Sequence, residues 1–313
     1  MTQTPLSING VALAPGSRTT IDLPLAPLYT HAPLTMPVHV IRGRKAGPRL
    51  FVSAAIHGDE INGVEIIRRL LRLAVLKRLR GTLIAVPIVN IHGFVSQSRY
   101  LPDRRDLNRS FPGSEKGSLA GRLAHVFMRE IVGNCTHGID LHTAAQHRDN
   151  LPQIRADIND PILAPLAKTF SAPVLLHSAA PTGSLRGAAA DIGIPVMVYE
   201  AGEALRFDET SIRAGLRGIF NVMRAIGMLP RTKAKSSRPE PVVCSKSRWE
   251  RAPAGGILRP RVALGERVRR GQRLATQLAA TRAGDPERPC PDFSAHSAPL
   301  TALLDRRTRR QYG

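Results

Sequence analysis

Four short stretches carry residues whose types and spacing can do chemistry. In His57-Gly-Asp-Glu60 an imidazole and a carboxylate stand three residues apart, and on a loop entering a helix that spacing turns both donors toward one point. Gly138-Ile-Asp-Leu-His142-Thr143 supplies a second imidazole at a strand end. Two His and one Glu around an open position form the ligand set of a catalytic zinc, which lowers the pKa of bound water to about 7 and polarises a carbonyl. Asp59 or Asp140 is then a candidate to hold a ligand imidazole through its other ring nitrogen. The third stretch joins Arg99-Tyr100 to Asp106-Leu-Asn108-Arg109-Ser-Phe-Pro-Gly113. Asn108 and Arg109 offer donors for a substrate carboxylate, and Arg99 is a candidate to face a developing oxyanion. In the fourth, Val198-Tyr-Glu200-Ala-Gly-Glu203, Glu200 ends an apolar strand, where a carboxylate can take a proton from an attacking water and return it to a leaving amine. Glu203, further along the loop, is its rival.

Each residue alone has a plainer reading: a His after a strand is usually a hydrogen-bonded loop residue, and a loop Arg a solvated charge. Their occurrence together, in an order compatible with one sheet edge, favours the chemical reading.

The elements that must position them follow from the apolar pattern. Ile21 to Leu25 and Val38 to Ile41 read as edge strands. Leu50 to Ile56 reads as a strand, Asn62 to Arg80 as a helix with Val64, Ile67, Leu70 and Leu71 at helical spacing, and Thr82 to Val89 as a second strand. The connection from Asn90 to Gly117 is too long for a simple link and is expected to be functional. Helices are expected over Leu119 to Val132, Pro161 to Phe170 and Asp208 to Ile226, the last with Asp208 as N-cap, and strands over His137 to Leu141, Val174 to His177 and Val196 to Glu200. Such alternation predicts an α/β sheet with helices on both faces, whose strand carboxyl ends collect the ligands.

The chain has 313 residues, 42% of them hydrophobic, enough for a large domain and a smaller one. Its opening MTQTPLSING lacks the basic and apolar regions of a leader, no window is apolar enough to span a membrane, and three distant cysteines make no disulfide framework, so a cytoplasmic location is expected. The net charge of +21 is uneven, with nineteen Lys and Arg against seven Asp and Glu after Pro230. Aromatic residues are only 4%, so the stacking platforms of single-strand binders are missing, and no recognition-helix pattern appears. Neither nucleic acid nor a membrane is expected as a partner. No GxSxG elbow or phosphate loop appears, and His92, His125, His137, His147 and His177 read as structural or surface residues.

The strings AAIHGDEINGVEIIRRLL, RYLPDRRDLNRSFPG, GIDLHT and VYEAGE, between about Leu50 and Pro230, resemble the succinylglutamate desuccinylase/aspartoacylase family of zinc carboxypeptidase-like proteins. The resemblance implies a zinc-carboxypeptidase-like mixed sheet and a deacylase that hydrolyses the amide of a small N-acyl amino acid. By it, His57, Glu60 and His142 match the zinc ligands, Glu200 the catalytic Glu, Asn108 and Arg109 the carboxylate-binding pair, and Arg99 the oxyanion Arg, at a different spacing from DLNR. One Zn²⁺ per chain and a small-molecule N-acyl amino acid partner follow; a homo-oligomeric state is left open. The alternatives are a carboxypeptidase-type peptidase and a non-catalytic binding protein on the same scaffold. Four regions are expected: an N-terminal β segment (1–40), the catalytic domain (41–230), a linker (231–244), and a small, incomplete C-terminal β domain (245–313). The last resembles a biotinyl/lipoyl-like barrel and lacks a strand pattern from about residue 276.

Overall fold

In the computed structural model the described residues are 5–25, 30–231, 240–248, 250–251, 256–278, 293–294 and 300–301. A ribbon of β1 (Ser7–Ile8) and β2 (Val11–Ala12) leads into β3 (Arg18–Pro24), β4 (Thr35–Arg42), β5 (Lys45–Ala54), α1 (Asn62–Leu71), β6 (Arg80–Val86), α2 (Ile91–Val95) and α3 (Leu119–Glu130). There follow β7 (His137–Ala144), β8 (Asn150–Ala156), α4 (Leu163–Phe170), β9 (Val174–His177), α5 (Leu185–Asp191), β10 (Val196–Glu203), α6 (Glu209–Ala225) and β11 (Val242–Cys244). The C-terminal strands are β12 (Ile257–Pro260), β13 (Arg267–Val268), β14 (Arg273–Leu278), β15 (Phe293–Ser294) and β16 (Leu300–Thr301).

Nine strands form one mixed sheet in the order β11-β9-β8-β10-β7-β5-β6-β4-β3. Its centre, β6-β5-β7-β10, is parallel. These strands are apolar almost throughout because helices cover both faces, as buried parallel strands require. One face packs Leu50, Val52, Ile139, Leu141, Met197 and Tyr199 against α1, α4 and α6. The other packs Phe51, Ile84, Val86 and Val196 against α3, α5 and the N-terminal ribbon. Alternation of side chains along each strand puts Ser53, Asp140, His142, Val198 and Glu200 on this second face. Asp208 caps α6 as expected, accepting from the Thr210 and Ser211 N–H groups.

Some expectations need correction. The helix expected to reach Arg80 ends at Leu71, and a 3-10 turn, Ala74–Arg78, follows it. Leu73 is extended there, which brings Leu76 and Leu79 into the core at 4% exposure each. Strand β8 was not expected, because Pro152 interrupts a polar run that also lacks a clean period. Against β10 it is β8 that bulges, Leu151 and Pro152 lying opposite Ala201 alone, and a bulge is where a sheet tolerates a missing N–H. The expected linker, 231–244, ends in β11, which adds to the sheet edge beside β9. The expected absence of strands after residue 276 fails at two places, where β15 pairs with β14 and β16 with β13; most of the expected tail lies outside the described residues.

Phe170 anchors α4 in the core at 1% exposure, with its ring 5.0 Å from that of Tyr199. Phe170→Ala is expected to cost roughly 3–5 kcal/mol, read from the urea midpoint at unchanged slope; a loss below about 1 kcal/mol would show that this packing is dispensable.

Candidate active site

The site forms where β5, β7 and β10 end. After β5 the chain turns sharply: Ala55 takes a left-handed φ of 52°, strain that a side chain adopts only when its surroundings fix it. Here the Ala54 and Ala55 carbonyls accept from the Val89 and Asn90 N–H groups. Gly58 then lies directly on α2, where an added Cβ would sit 1.9 Å from the Gly93 carbonyl carbon. These constraints aim His57 and Glu60 at His142 on β7.

The three side chains are 4%, 2% and 5% exposed. His57 Nδ1 lies 2.7 Å from Glu60 Oε1 and His142 Nδ1 2.8 Å from Glu60 Oε2, with the two Nδ1 atoms 3.2 Å apart. The Thr143 N–H also donates to Glu60 Oε2 at 3.1 Å. One donor atom from each residue falls within 4.8 Å of the others, a group that could hold a metal ion. Behind them, His142 Nε2 lies 2.6 Å from Asp140 Oδ2, and Asp140 accepts in turn from the Ser53 hydroxyl. His57 Nε2 lies 3.2 Å from Asp106 Oδ1. Of the two carboxylates considered as imidazole partners, Asp140 is in place. Asp59 instead points away, its Oδ2 at 3.5 Å from Gln146 Nε2, and Asp106 from the long loop takes its part.

Charge in this cluster balances only internally. Burial pushes the Glu60 carboxyl up, but His57 and His142 outweigh it and hold Glu60 well below the usual carboxylate range. Burial pulls the imidazoles down, yet Asp140 and Glu60 raise His142 far above its ordinary value, and Glu60 and Asp106 raise His57. Asp106, despite burial, is depressed by His57 and Arg99.

A cavity of about 480 Å³ opens on this cluster. Arg99 stands on its wall, donating to Asp106 Oδ2 at 3.0 Å from Nη2 and to Glu60 Oε1 at 3.3 Å from Nη1. Asn108 and Arg109 also line it. Asn108 accepts through Oδ1 from the Leu185 N–H at the start of α5, 2.9 Å, so its amide nitrogen remains to donate. Glu200 lies across the ladder from His142 and lines the same cavity, whereas its rival Glu203 accepts from the His147 N–H and pairs with Arg206. All seven residues expected at the site thus gather at one cavity or its floor.

Lining residues that the sequence did not single out include Arg148, Asn150, Arg155 and Arg186. Arg186 is 7% exposed and donates to the Ser178 and Ala179 carbonyls. Burial and the nearby Arg155 lower its pKa. An Arg on a helix or strand normally reads as solvated, and only the unexpected β8 would have placed Arg155 here. With five arginines against Glu60, Asp140 and Glu200, the lining carries more positive charge than negative.

Residues 46–226 match the succinylglutamate desuccinylase/aspartoacylase catalytic domain. An N-alpha-acetyl-L-2,4-diaminobutyric acid deacetylase of Halomonas elongata is 27% identical over 259 residues, 80% of this chain and 75% of that protein. Among solved structures, the product-bound ectoine utilization protein EutE (DoeB) of Ruegeria pomeroyi superposes with a TM-score of 0.79 at 23% identity, covering 97% of this chain and all of that one. A succinylglutamate desuccinylase/aspartoacylase of Rhodobacter sphaeroides gives 0.76 at 24% identity, covering 91% and 92%. These likenesses extend to the fold as a whole. No helix among the described residues is long and apolar enough to cross a membrane.

The raised imidazole pKa values set a pH dependence. A group whose pKa is higher folded than unfolded stabilises the fold below its unfolded value, about 6.5 for His, and that contribution disappears as pH rises through the folded value. The depressed carboxyls contribute fully above about pH 4 and lose that contribution only as pH falls below it, so they do not vary between about pH 6 and about pH 8.5. Protons on His57 and His142 therefore stabilise the metal-free protein near pH 6 and leave it at higher pH, where a cation in their place counts most. Chelator should lower Tm more at about pH 8.5 than at about pH 6, as read by scanning fluorimetry; an equal or smaller drop would contradict a cation between these residues.

Proposed function

This chain belongs to the succinylglutamate desuccinylase/aspartoacylase family, and on that premise we propose that it is a zinc-dependent deacylase that hydrolyses the amide bond of a small N-acyl amino acid. The observation that carries the reading is the convergence of His57, Glu60 and His142 on one point, with Glu200 directly across the ladder in the same cavity. The donor set fits zinc: two imidazole nitrogens and a carboxylate face one another, and Asp140 and Asp106 hold the opposite ring nitrogens, which fixes both tautomers with Nδ1 as the donor. Zinc held there would lower the pKa of bound water and polarise the amide carbonyl.

The chain's own residues supply the rest. Glu200 accepts a proton from the attacking water and passes it to the departing nitrogen. Arg99, anchored by Asp106, donates toward the oxygen that gains charge. Asn108, its Oδ1 committed to the Leu185 N–H, presents its amide nitrogen to the substrate carboxylate, and Arg109 adds a planar fork. The arginine-rich lining favours an anionic ligand. The diaminobutyrate derivative named for the Halomonas relative is one member of the substrate class to be tried.

The test is metal content together with hydrolysis of a panel of N-acyl amino acids, N-acetyl-L-2,4-diaminobutyrate included, with and without chelator. About one zinc per chain and chelator-sensitive release of a free amino acid are expected; metal-bound protein that releases none would leave a binding protein on this scaffold. Glu200→Gln should keep zinc and lose roughly 10²–10⁴ in kcat, whereas His57→Ala should lose zinc and turnover together. Full turnover in the Gln variant would remove Glu200 from the proton transfer. Asp140→Asn should weaken zinc affinity by about 10–100-fold, measured by competition with a chromophoric chelator.

A further inference from the structure

Glu200 sits at a break in its strand. The β7–β10 and β8–β10 registers both shift just after it, and Gly202 takes a φ of 77°. Such a bulge re-aims the neighbouring side chain out of the regular pleat. It also frees a long side chain at the edge of an open cavity, where several staggered rotamers are accessible. One strand restrains it. The register places Asn150 opposite Gly202, Gln153 opposite Glu200 and Arg155 opposite Val198, so Asn150 and Arg155 lie on either side of the Glu200 rung. Both reach back to the same atom: Asn150 Nδ2 donates to Glu200 Oε2 at 2.9 Å, and Arg155 Nη2 pairs with Oε2 at 3.0 Å. Oε1 has no partner among the described residues, and Glu200 borders the cavity.

We propose that Arg155 and Asn150 are positioning residues that pin Oε2 of Glu200 and so assign proton transfer to Oε1. The inference rests on the reading of Glu200 as the proton carrier. It separates Arg155 from the arginines that would meet substrate, since Arg155 acts through Glu200. A hydrogen bond from Asn150 and an ion pair from Arg155 on one oxygen restrain the carboxylate, and a proton acceptor must be held both near and in line with the proton it takes.

The variants Arg155→Gln, Arg155→Lys and Asn150→Ala, each with the fold checked by circular dichroism and thermal melting, test this against the panel substrate that the wild-type enzyme turns over fastest. Arg155→Gln should lower kcat by about 10–100-fold while KM moves by less than about 3-fold. Arg155→Lys, which keeps one donor and the charge, should recover part of that loss, and Asn150→Ala should show a smaller loss of the same kind. In a Glu200→Gln background, Arg155→Gln should lower kcat no further, because the two residues act as one unit. Crystal structures of the wild type and of Arg155→Gln give a reading without turnover: Oε2 held by both residues in the first, and the Glu200 side chain in a different or divided rotamer in the second. An unchanged Glu200 in the variant overturns the proposal, as does unchanged kcat with raised KM, which would make Arg155 a substrate-binding residue. Full turnover of the single Glu200→Gln variant would instead overturn the reading of Glu200, a separable result.

Discussion

A carboxylate that is almost wholly buried must be compensated where it stands, and Glu60 is such a group. At 2% exposure it cannot rely on water, and an unpaired buried charge would cost far more than the fold can spare. Its compensation comes from His57 and His142, whose own burial is sustained by Asp106 and Asp140. The result is an alternating chain of imidazoles and carboxylates running from the long loop, through the β5 turn, to the middle of β7. Much of the local architecture keeps that chain closed: the left-handed turn at Ala55, the backbone contact of Gly58 with α2, and the Ser53 hydroxyl beneath Asp140. The cluster is therefore structural and chemical at once.

The sheet contributes a second constraint through its mixed direction. β10 runs parallel to β7 on one side and antiparallel to β8 on the other. The parallel side brings the carboxyl ends of β7 and β10 together, as open α/β sheets do at their ligand sites. The antiparallel side lays β8 alongside, so Asn150 at its start and Arg155 near its end flank Glu200 from a strand that runs the other way.

Much of this was legible in the sequence, for a physical reason. Residues that meet at strand ends lie in short stretches with fixed local geometry, so His57, Glu60, His142, Asn108 and Glu200 stand out by type and spacing alone. The parallel strands and the capped α6 follow from apolar runs and a local hydrogen bond. What the sequence hid depends on pairing at a distance. β8 accommodates Pro152 because it bulges there against β10, and nothing local announces that neighbour. Arg155 and Arg186 look like solvated charges until β8 and α5 are placed. Asp106 lies 49 positions from His57, too far for local spacing to pair them, and the turn after β5 sends Asp59 elsewhere.

The bond from the Leu185 N–H to Asn108 Oδ1, with that from the Phe111 N–H to the Gly183 carbonyl, joins the long loop to α5 across more than seventy positions of chain. Asn108 and Arg109 thus share a frame with Arg186. The cavity has a floor of strands and a side made jointly by the long loop and α5, with Arg148 of the β7–β8 connection lining it as well. Specificity in such an enzyme is inherited as a block: exchanging the loop alone between relatives would strand its amide against the wrong helix, whereas loop and helix transplanted together would carry the pocket's dimensions with them.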